Sequence, residues 1–240
     1  MDGASPPSGT QAKGLKMPDI KTPVTVDVFS DVVCPWCFIG KRRLEKAIAL
    51  VPDIPVQIRY QPYFLNDWIP REGISREEYL TKKFGSPQGY EQIARRVQMA
   101  AQADGLVYDI AKVSRQPNTT DAHRLILWAA QLGKQLEMKQ RLMDFYFTEG
   151  RDLTDREVLV QAAADVGLDG DEVRKLLATD TDVELVSNAA EQAKEAGIQG
   201  VPFFIFDNKY AVSGAQSPED LARVIERASQ EASQGEQAAE

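Results

Sequence analysis

The chain has 240 residues, a formal net charge of −8 and 43% hydrophobic residues. These values suit one large domain, or one domain carrying an insertion, with ample apolar material for a core. The acidic balance argues against nucleic acid or an anionic membrane as a partner, and no run of about 20 apolar residues predicts a transmembrane helix. The polar segment 1–22 has no apolar stretch typical of a secretory signal and is predicted to be disordered. We therefore expect a cytoplasmic protein.

The first predicted elements are a strand and a helix, and the two cysteines of the chain lie where they meet. The strand covers Val24–Phe29 and the helix covers Pro35–Leu50. Cys34 stands at the helix N-terminus, and Cys37 follows one turn later. Because the helix dipole and free N–H groups favour a thiolate, we expect a lowered pKa for Cys34. The spacing predicts a redox pair in which Cys34 attacks and Cys37 resolves.

Two other roles for this pair fit the sequence less well. A structural zinc site needs four ligands, and the chain offers only His123 besides the two cysteines, so zinc would have to be shared between subunits. Plain buried thiols are an alternative, but Pro35 between them, just before a helix, is a poor arrangement for packing. We therefore expect no metal, and we expect Trp36 to expose one face to apolar substrates.

The middle of the chain is predicted to be helical. Strand Val56–Tyr60 first completes a strand–helix–strand unit, whose two strands should be parallel. From residue 66 to residue 196 the apolar periodicity is that of helices. The capping patterns Ser75–Glu78 and Thr154–Glu157 each open a helix, and another helix is predicted over Thr120–Leu136.

Strands return near the C-terminus. Phe203–Phe206 and Lys209–Val212 flank Asp207-Asn208, two residues that tolerate the left-handed conformation of a tight hairpin. Ser217-Pro218 then opens a last helix, and residues 231–240 are expected to form a frayed tail. Because neither terminal piece could bury its strands alone, both should form one sheet. The predicted α/β domain is therefore discontinuous, residues 23–65 with 197–230, around an all-helical insertion at 66–196.

Several motifs along residues 24–230 are shared with one known family. They are Phe29-Ser30-Asp31, Cys34-Pro35-Trp36-Cys37 with Gly40, Arg59 with Pro62, Phe64-Leu65-Asn66, Asn118-Thr119, Ala122-His123-Arg124-Leu125, Glu149-Gly150, Asp152-Leu153, Gly200-Val201-Pro202, Tyr210 and Ser213-Gly214-Ala215-Gln216. With this element order, the chain resembles a thioredoxin fold with a large insertion. It is similar to the DsbA-like thiol oxidoreductases, and more narrowly to the FrnE-like branch of polyketide-biosynthesis dithiol-disulfide isomerases.

The resemblance implies a cis peptide bond before Pro202, facing the cysteines, with the Val201 backbone aimed at an incoming chain. From the residues alone, an ordinary trans proline at the start of a strand is the alternative. Many relatives carry a buried carboxylate six residues before the first cysteine, where this chain has Val28. The proton acceptor for Cys37 therefore stays open between water, Asp31 and another group.

Three further residues are considered for the substrate groove. Asn66 and Asn118 are assigned to it by family analogy, although asparagine equally forms caps and turns. His123 is either a satisfied, partly buried histidine or a pocket residue near the cysteines.

The predicted activity is that of a thiol–disulfide oxidoreductase or isomerase. Its partners would be proteins or small molecules that contain a disulfide or a thiol. No tightly bound cofactor is expected, and glutathione is the candidate redox partner. Two alternatives remain: a glutathione-dependent isomerase or transferase of the 2-hydroxychromene-2-carboxylate or kappa type, and a redox-switched, chaperone-like binder.

Overall fold

The structure is a computed structural model that describes residues 22–239, except for the side chains of 233 and 235–239. The predicted disordered segment 1–22 therefore lies, apart from its last residue, outside the described residues. The strands are β1 Val24–Ser30, β2 Val56–Pro62, β3 Ile74–Ser75, β4 Arg115–Gln116, β5 Phe203–Phe206 and β6 Tyr210–Ser213. The helices are α1 Pro35–Leu50, α2 Arg76–Phe84, α3 Pro87–Ala103, α4 Thr120–Gln131, α5 Gln135–Asp144, α6 Arg156–Asp165, α7 Gly170–Leu177, α8 Val183–Glu195 and α9 Pro218–Ala239.

Four strands form the main sheet, in the order β2-β1-β5-β6. β1 runs parallel to β2, which requires the crossover through α1, and antiparallel to β5. The two terminal pieces of the chain thus share one sheet, as predicted, and the thioredoxin arrangement is confirmed. Asp207 and Asn208 adopt positive φ angles of 47° and 55° in the β5–β6 hairpin, which confirms the predicted tight turn.

The core of this unit lies between the sheet and two helices. Val26 and Val28 of β1 point inward with Phe204 and Phe206 of β5, and all four are buried. α1 packs against α9, the helix that closes the domain. Because successive strand residues face opposite sides, Asp27 lies between two inward-pointing valines and faces away from them. This core fixes the end of β1, where the cysteines follow.

The insertion differs from the prediction in two places. It is not entirely helical, because β3 and β4 pair as a short antiparallel ribbon. The helix predicted to run through Leu136 ends at Gln131, since Gly133 takes a φ of +68° and breaks it into α4 and α5. Leu132, predicted to belong to the apolar stripe of that helix, is 63% exposed.

Two helix ends also differ from the prediction. Asp155 caps α6 by accepting the Glu157 N–H at 2.8 Å, whereas Thr154 donates to Asp152 and is not the cap. α9 continues to Ala239, nine residues beyond the boundary predicted at residue 230, and the frayed tail over 231–240 stays a prediction. The predicted Ser75 cap of α2 is confirmed, because its hydroxyl accepts the Glu78 N–H at 3.1 Å.

The insertion folds back onto the edge of the main sheet. α5 and α8 both contact β2, and α4 packs against α5 and α8. This placement brings side chains of α4 and α5 beneath the loop between β1 and α1. The insertion therefore contributes to the surroundings of the two cysteines.

Candidate functional site

The cysteine pair sits at the N-terminus of α1. Cys34 is the N-cap residue, and its carbonyl accepts the N–H groups of Cys37 at 3.0 Å and Phe38 at 3.2 Å. Pro35 occupies the first helical position, where a missing N–H costs nothing. Both thiols are free, and the residues are buried, with 3% of Cys34 and 2% of Cys37 exposed. The local sequence therefore places both sulfurs as predicted, but deeper than a fully solvated pair.

The Val201–Pro202 segment faces the first sulfur. Its peptide bond is cis, which confirms what the family resemblance implies. The Cys34 Sγ lies 3.6 Å from the Val201 carbonyl oxygen, a distance at which a thiol can donate a hydrogen bond. Pro202 also packs closely on α1, because a Cβ added to Gly40 would lie 2.8 Å from Pro202 Cγ. The segment before β5 and the start of α1 thus form one packed unit.

Cys34 opens onto a cavity of about 220 Å³. Trp36, which is 37% exposed, and Val201 line the same cavity. Its far wall comes from the insertion and contains two cations, Arg76 and Lys83, while the residues described as lining it include no carboxylate. The cavity can therefore admit a small thiol or disulfide and favours one that carries negative charge.

The two thiols titrate together, because each lies in hydrogen-bond contact with the other. That hydrogen bond and burial raise the pKa of Cys34 well above its ordinary value. Burial also acts to raise the pKa of Cys37, but the hydrogen bond from Cys34 and the charge of Lys139 outweigh it, so that pKa is lowered. The predicted lowering of the Cys34 pKa is therefore corrected for the reduced pair, in which the thiolate is favoured on Cys37 over Cys34.

Asp31 lies at the base of this site and is fully buried. Its Oδ2 accepts the Leu65 N–H at 2.9 Å, and its Oδ1 lies 3.5 Å from His123 Nε2. Burial alone would raise the pKa of Asp31, but His123, the Leu65 N–H and the charge of Lys139 together lower it. Burial lowers the pKa of His123, so that at pH 7 the ring is neutral and its contact with Asp31 is not an ion pair.

Lys139 of α5 lies behind the cysteines and belongs to none of the motifs identified in the sequence. It is fully buried, and its Nζ donates to the Ser30 carbonyl at 3.3 Å. Burial lowers the pKa of Lys139 to about 8, against the opposing effects of Cys37 and Asp31. The sequence did carry a signal: α5 buries Met138, Lys139, Leu142 and Met143, and this spacing puts the lysine on the apolar face of the helix.

The two asparagines assigned to the groove lie in different surroundings. Asn66 is buried and accepts a hydrogen bond from Lys83, a residue of the Cys34 cavity. Asn118 instead accepts the Thr120 N–H at 3.0 Å and donates to the Ile69 carbonyl at 2.8 Å. These bonds fix the start of α4, so Asn118 serves the helix end and the structure does not bring it to the sulfurs.

The described residues 22–239 contain no group of three or more histidine, cysteine, aspartate or glutamate side chains arranged to hold a metal ion. None of the helices described there is both long and apolar enough to cross a membrane.

Comparisons with known proteins agree with this geometry. The family model of the DSBA-like thioredoxin domain matches residues 25–226. The crystal structure of a probable DsbA oxidoreductase from Streptomyces coelicolor is similar, with a TM-score of 0.78 and 32% sequence identity, and the match covers 85% of this chain and 89% of that one. The uncharacterized protein YwbO of Bacillus subtilis is 28% identical over 203 residues, which are 84% of this chain and 96% of YwbO.

A more distant structure shares the fold. It is the cytosolic disulfide reductase DsbM from Pseudomonas aeruginosa with GSH, at a TM-score of 0.59 and 19% identity. The match covers 85% of this chain and 98% of that one.

Proposed function

The chain belongs to the family of DsbA-like thioredoxin domains, and from that premise we propose that it is a thiol–disulfide oxidoreductase or isomerase that uses Cys34 and Cys37. One observation carries the proposal: Cys34 lines the 220 Å³ cavity while Cys37 lies behind it in hydrogen-bond contact. The first sulfur can therefore meet a substrate, and the second can reach only the first. That division is what an attacking and a resolving cysteine require.

The proposed reaction begins with a proton transfer inside the pair. The proton of Cys34 passes to Cys37 along their hydrogen bond, and the Cys34 thiolate attacks one sulfur of a substrate disulfide. A Cys34–substrate bond forms, and the other substrate sulfur leaves as a thiolate that takes up the Cys37 proton through solvent. Cys37 then attacks Cys34 Sγ, so the enzyme disulfide forms and the second substrate sulfur leaves. The substrate gains the two electrons that the cysteine pair loses, and the reverse sequence oxidises a dithiol.

Variants of the two cysteines test this assignment. The reduced protein should reduce the disulfide of insulin and a small neutral disulfide such as bis(2-hydroxyethyl) disulfide. Cys34→Ser should abolish both reactions. The matched variant Cys37→Ser should still attack, and should accumulate a mixed disulfide visible by intact-mass spectrometry. A mixed disulfide that forms on Cys37 in the Cys34→Ser variant would reverse the roles, and full activity of that variant would end the proposal.

We assign glutathione to this site as the candidate redox partner. Its carboxylates suit the cavity, because Arg76 and Lys83 are the cations described in its wall. Lys83 donates to Asn66, and its pKa is lowered by burial, so an anionic ligand would offset the cost of burying its charge.

Substitution of Lys83 tests whether glutathione is the redox partner. Lys83→Met should slow turnover coupled to reduced glutathione and leave turnover with the neutral reductant dithiothreitol unchanged. Lys82→Met is the matched control, because the Lys82 Nζ lies over the Trp68 ring, 4.6 Å from its centroid. Equal loss with both reductants would show that Lys83 supports the fold and does not bind glutathione.

As part of the same proposal, we assign the chain to the FrnE-like branch and its activity to the cytoplasm. The shared motifs from Phe29 to Gln216 support the branch. Two cysteines that form a single redox pair suit a reducing compartment, where a structural disulfide would not persist. Cell fractionation with an antibody to the untagged protein tests the compartment, and recovery outside the cytoplasm would contradict it.

A further inference from the structure

The side chain of Lys139 places a buried cation near the site. An ammonium carries three donors, and the described residues give this one a single hydrogen bond, to the Ser30 carbonyl at 3.3 Å. Its Nζ also lies 5.4 Å from the centroid of the Tyr60 ring. A buried charge with so few partners is unfavourable, and an apolar residue such as the neighbouring Met138 would pack there at less cost. Its presence therefore calls for a functional explanation.

Four parts of the fold present polar or titratable groups near Lys139. They are Asp31 from the loop after β1, Cys34, Cys37 and Lys41 from α1, Tyr60 from β2, and His123 from α4. Lys41 forms an ion pair with Glu45, and the ring of His123 is neutral at pH 7. Lys139 is therefore the buried cation whose charge is directed at the sulfurs and at Asp31.

The sulfur that needs this charge is that of Cys37. It must be a thiolate to attack, yet it is buried, and burial disfavours the charged form. The positive charge of Lys139 favours the thiolate, as do the nearby Asp31 N–H and the Ser30 hydroxyl, which is buried and has no hydrogen-bond partner among the described residues. On the proposed function, we propose that Lys139 is a positioning residue that stabilises the Cys37 thiolate before the resolving attack, without contacting the substrate.

The resolving step then moves negative charge from one side of the site to the other. The Cys37 thiolate donates an electron pair to Cys34 Sγ, the Cys34–Cys37 bond forms, and the bond to the substrate sulfur breaks. The substrate leaves as a thiolate into the cavity that Arg76 and Lys83 line, and it is protonated by water. Lys139 thus lies behind the starting thiolate, while two other cations face the departing one.

A titration tests this role without any substrate. In the Cys34→Ser background Cys37 is the remaining thiol, and its thiolate is followed by absorbance at 240 nm across pH. Lys139→Met should raise the pKa of Cys37 by about one to two units, because the nearby positive charge is lost. Lys139→Arg keeps the charge and should restore most of the shift. Lys41→Met is the matched control and should leave the titration unchanged, since the Lys41 charge is paired with Glu45.

The reduction potential provides a second readout in the protein with both cysteines. Loss of Lys139 removes a charge that stabilises the reduced, thiolate-bearing form, so the potential should become more negative. Far-ultraviolet circular dichroism checks the fold, and Lys139→Gln repeats the test with a polar side chain if the methionine variant is unstable.

The outcomes separate this inference from the proposed function. An unchanged Cys37 titration in Lys139→Met or Lys139→Gln would overturn the role of the lysine, as would failure of Lys139→Arg to restore it. If the lysine shifts the Cys37 pKa while the wild-type protein exchanges no disulfide, the proposed function fails and the electrostatic role of Lys139 stands.

Discussion

The sheet domain and the helical insertion contribute to the site in different ways. The sheet domain supplies the reacting atoms from short motifs, the cysteine pair on α1 and Val201-Pro202 before β5. The insertion supplies the charged groups one at a time, Lys83 from α2 and Lys139 from α5. Lys139 reaches the Ser30 carbonyl across 109 positions of sequence. Reactive groups are thus set by local sequence, whereas the electrostatics that govern them depend on how the insertion packs.

This difference predicts that the insertion must be held rigidly, and Arg124 of α4 is the residue that holds it. Its guanidinium is fully buried and donates to the carbonyls of Leu176, Thr179 and Thr181 at 2.7–2.9 Å. Arg124→Met would remove the donors of the Thr179 and Thr181 carbonyls and the ion pair with Asp121, while the Leu176 carbonyl would keep the Thr179 N–H and hydroxyl as donors. We therefore expect a loss of about 4 kcal/mol in the free energy of unfolding. Urea denaturation followed by circular dichroism measures it.

The control for this largest effect is Arg174→Met. Arg174 forms its ion pairs with Glu157 and Asp171 at the surface, and its loss should change the urea midpoint little. A similar midpoint for both variants would contradict the view that Arg124 anchors the insertion.

Asp31 joins the two regions, and its substitution is expected to have the next largest effect. Asp31→Asn removes the carboxylate that faces Lys139 and should cost about 3 kcal/mol at neutral pH. Because the pKa of Asp31 is lowered on folding, its contribution is fully present above the unfolded value of 3.8 and is lost as pH falls through the folded value. The difference in unfolding free energy between wild type and variant should therefore narrow below about pH 4. A difference that stays constant from pH 7 to pH 3 would show that Asp31 acts through packing.

In the sheet domain, substitution of Gly40 tests how tightly α1 packs against Pro202 and Phe204. An alanine Cβ at this position would lie 2.8 Å from Pro202 Cγ and 3.4 Å from Phe204 Cζ. Gly40→Ala should therefore cost about 2 kcal/mol by overpacking, and should slow disulfide exchange because Pro202 must shift. Gly200→Ala is the matched control, since a Cβ there meets no atom within 4 Å. Full activity and stability of Gly40→Ala would show that Pro202 and its neighbours shift at little cost in free energy.

The same division explains which features the sequence could predict. The strand–helix–strand start, the hairpin at Asp207-Asn208 and the positions of Cys34 and Cys37 follow from local periodicity and turn chemistry, and the structure agrees with them. The family resemblance added the cis bond before Pro202.

The remaining features depend on distant contacts. A lysine within a helix is expected in solvent, and Lys139 is buried because α5 packs between α4, α6 and β2. The lowered pKa was predicted for Cys34 from the helix dipole and the free N–H groups at the helix start. In the structure, the contact between the two sulfurs raises the pKa of Cys34, and that contact together with the charge of Lys139 lowers the pKa of Cys37. The helix end at Gln131 was missed although Gly133 is a typical residue to follow a helix. The apolar spacing of Leu132 and Leu136 instead favoured a continuous helix.

The smallest loss of stability is expected for substitution of Asp27 in β1, a residue four positions before Asp31. It lies directly opposite Arg59 on β2 and accepts two hydrogen bonds from the half-exposed guanidinium, at 2.6 and 2.9 Å. Because water screens this cross-strand pair, Asp27→Asn should cost only about 0.5 kcal/mol, and 1 M NaCl should reduce the difference further. The buried contacts of Asp31 should not respond to salt in this way. Urea denaturation of both variants at low and high salt compares the two carboxylates. Equal salt sensitivity would contradict the distinction between the half-exposed Asp27–Arg59 pair and the buried contacts of Asp31.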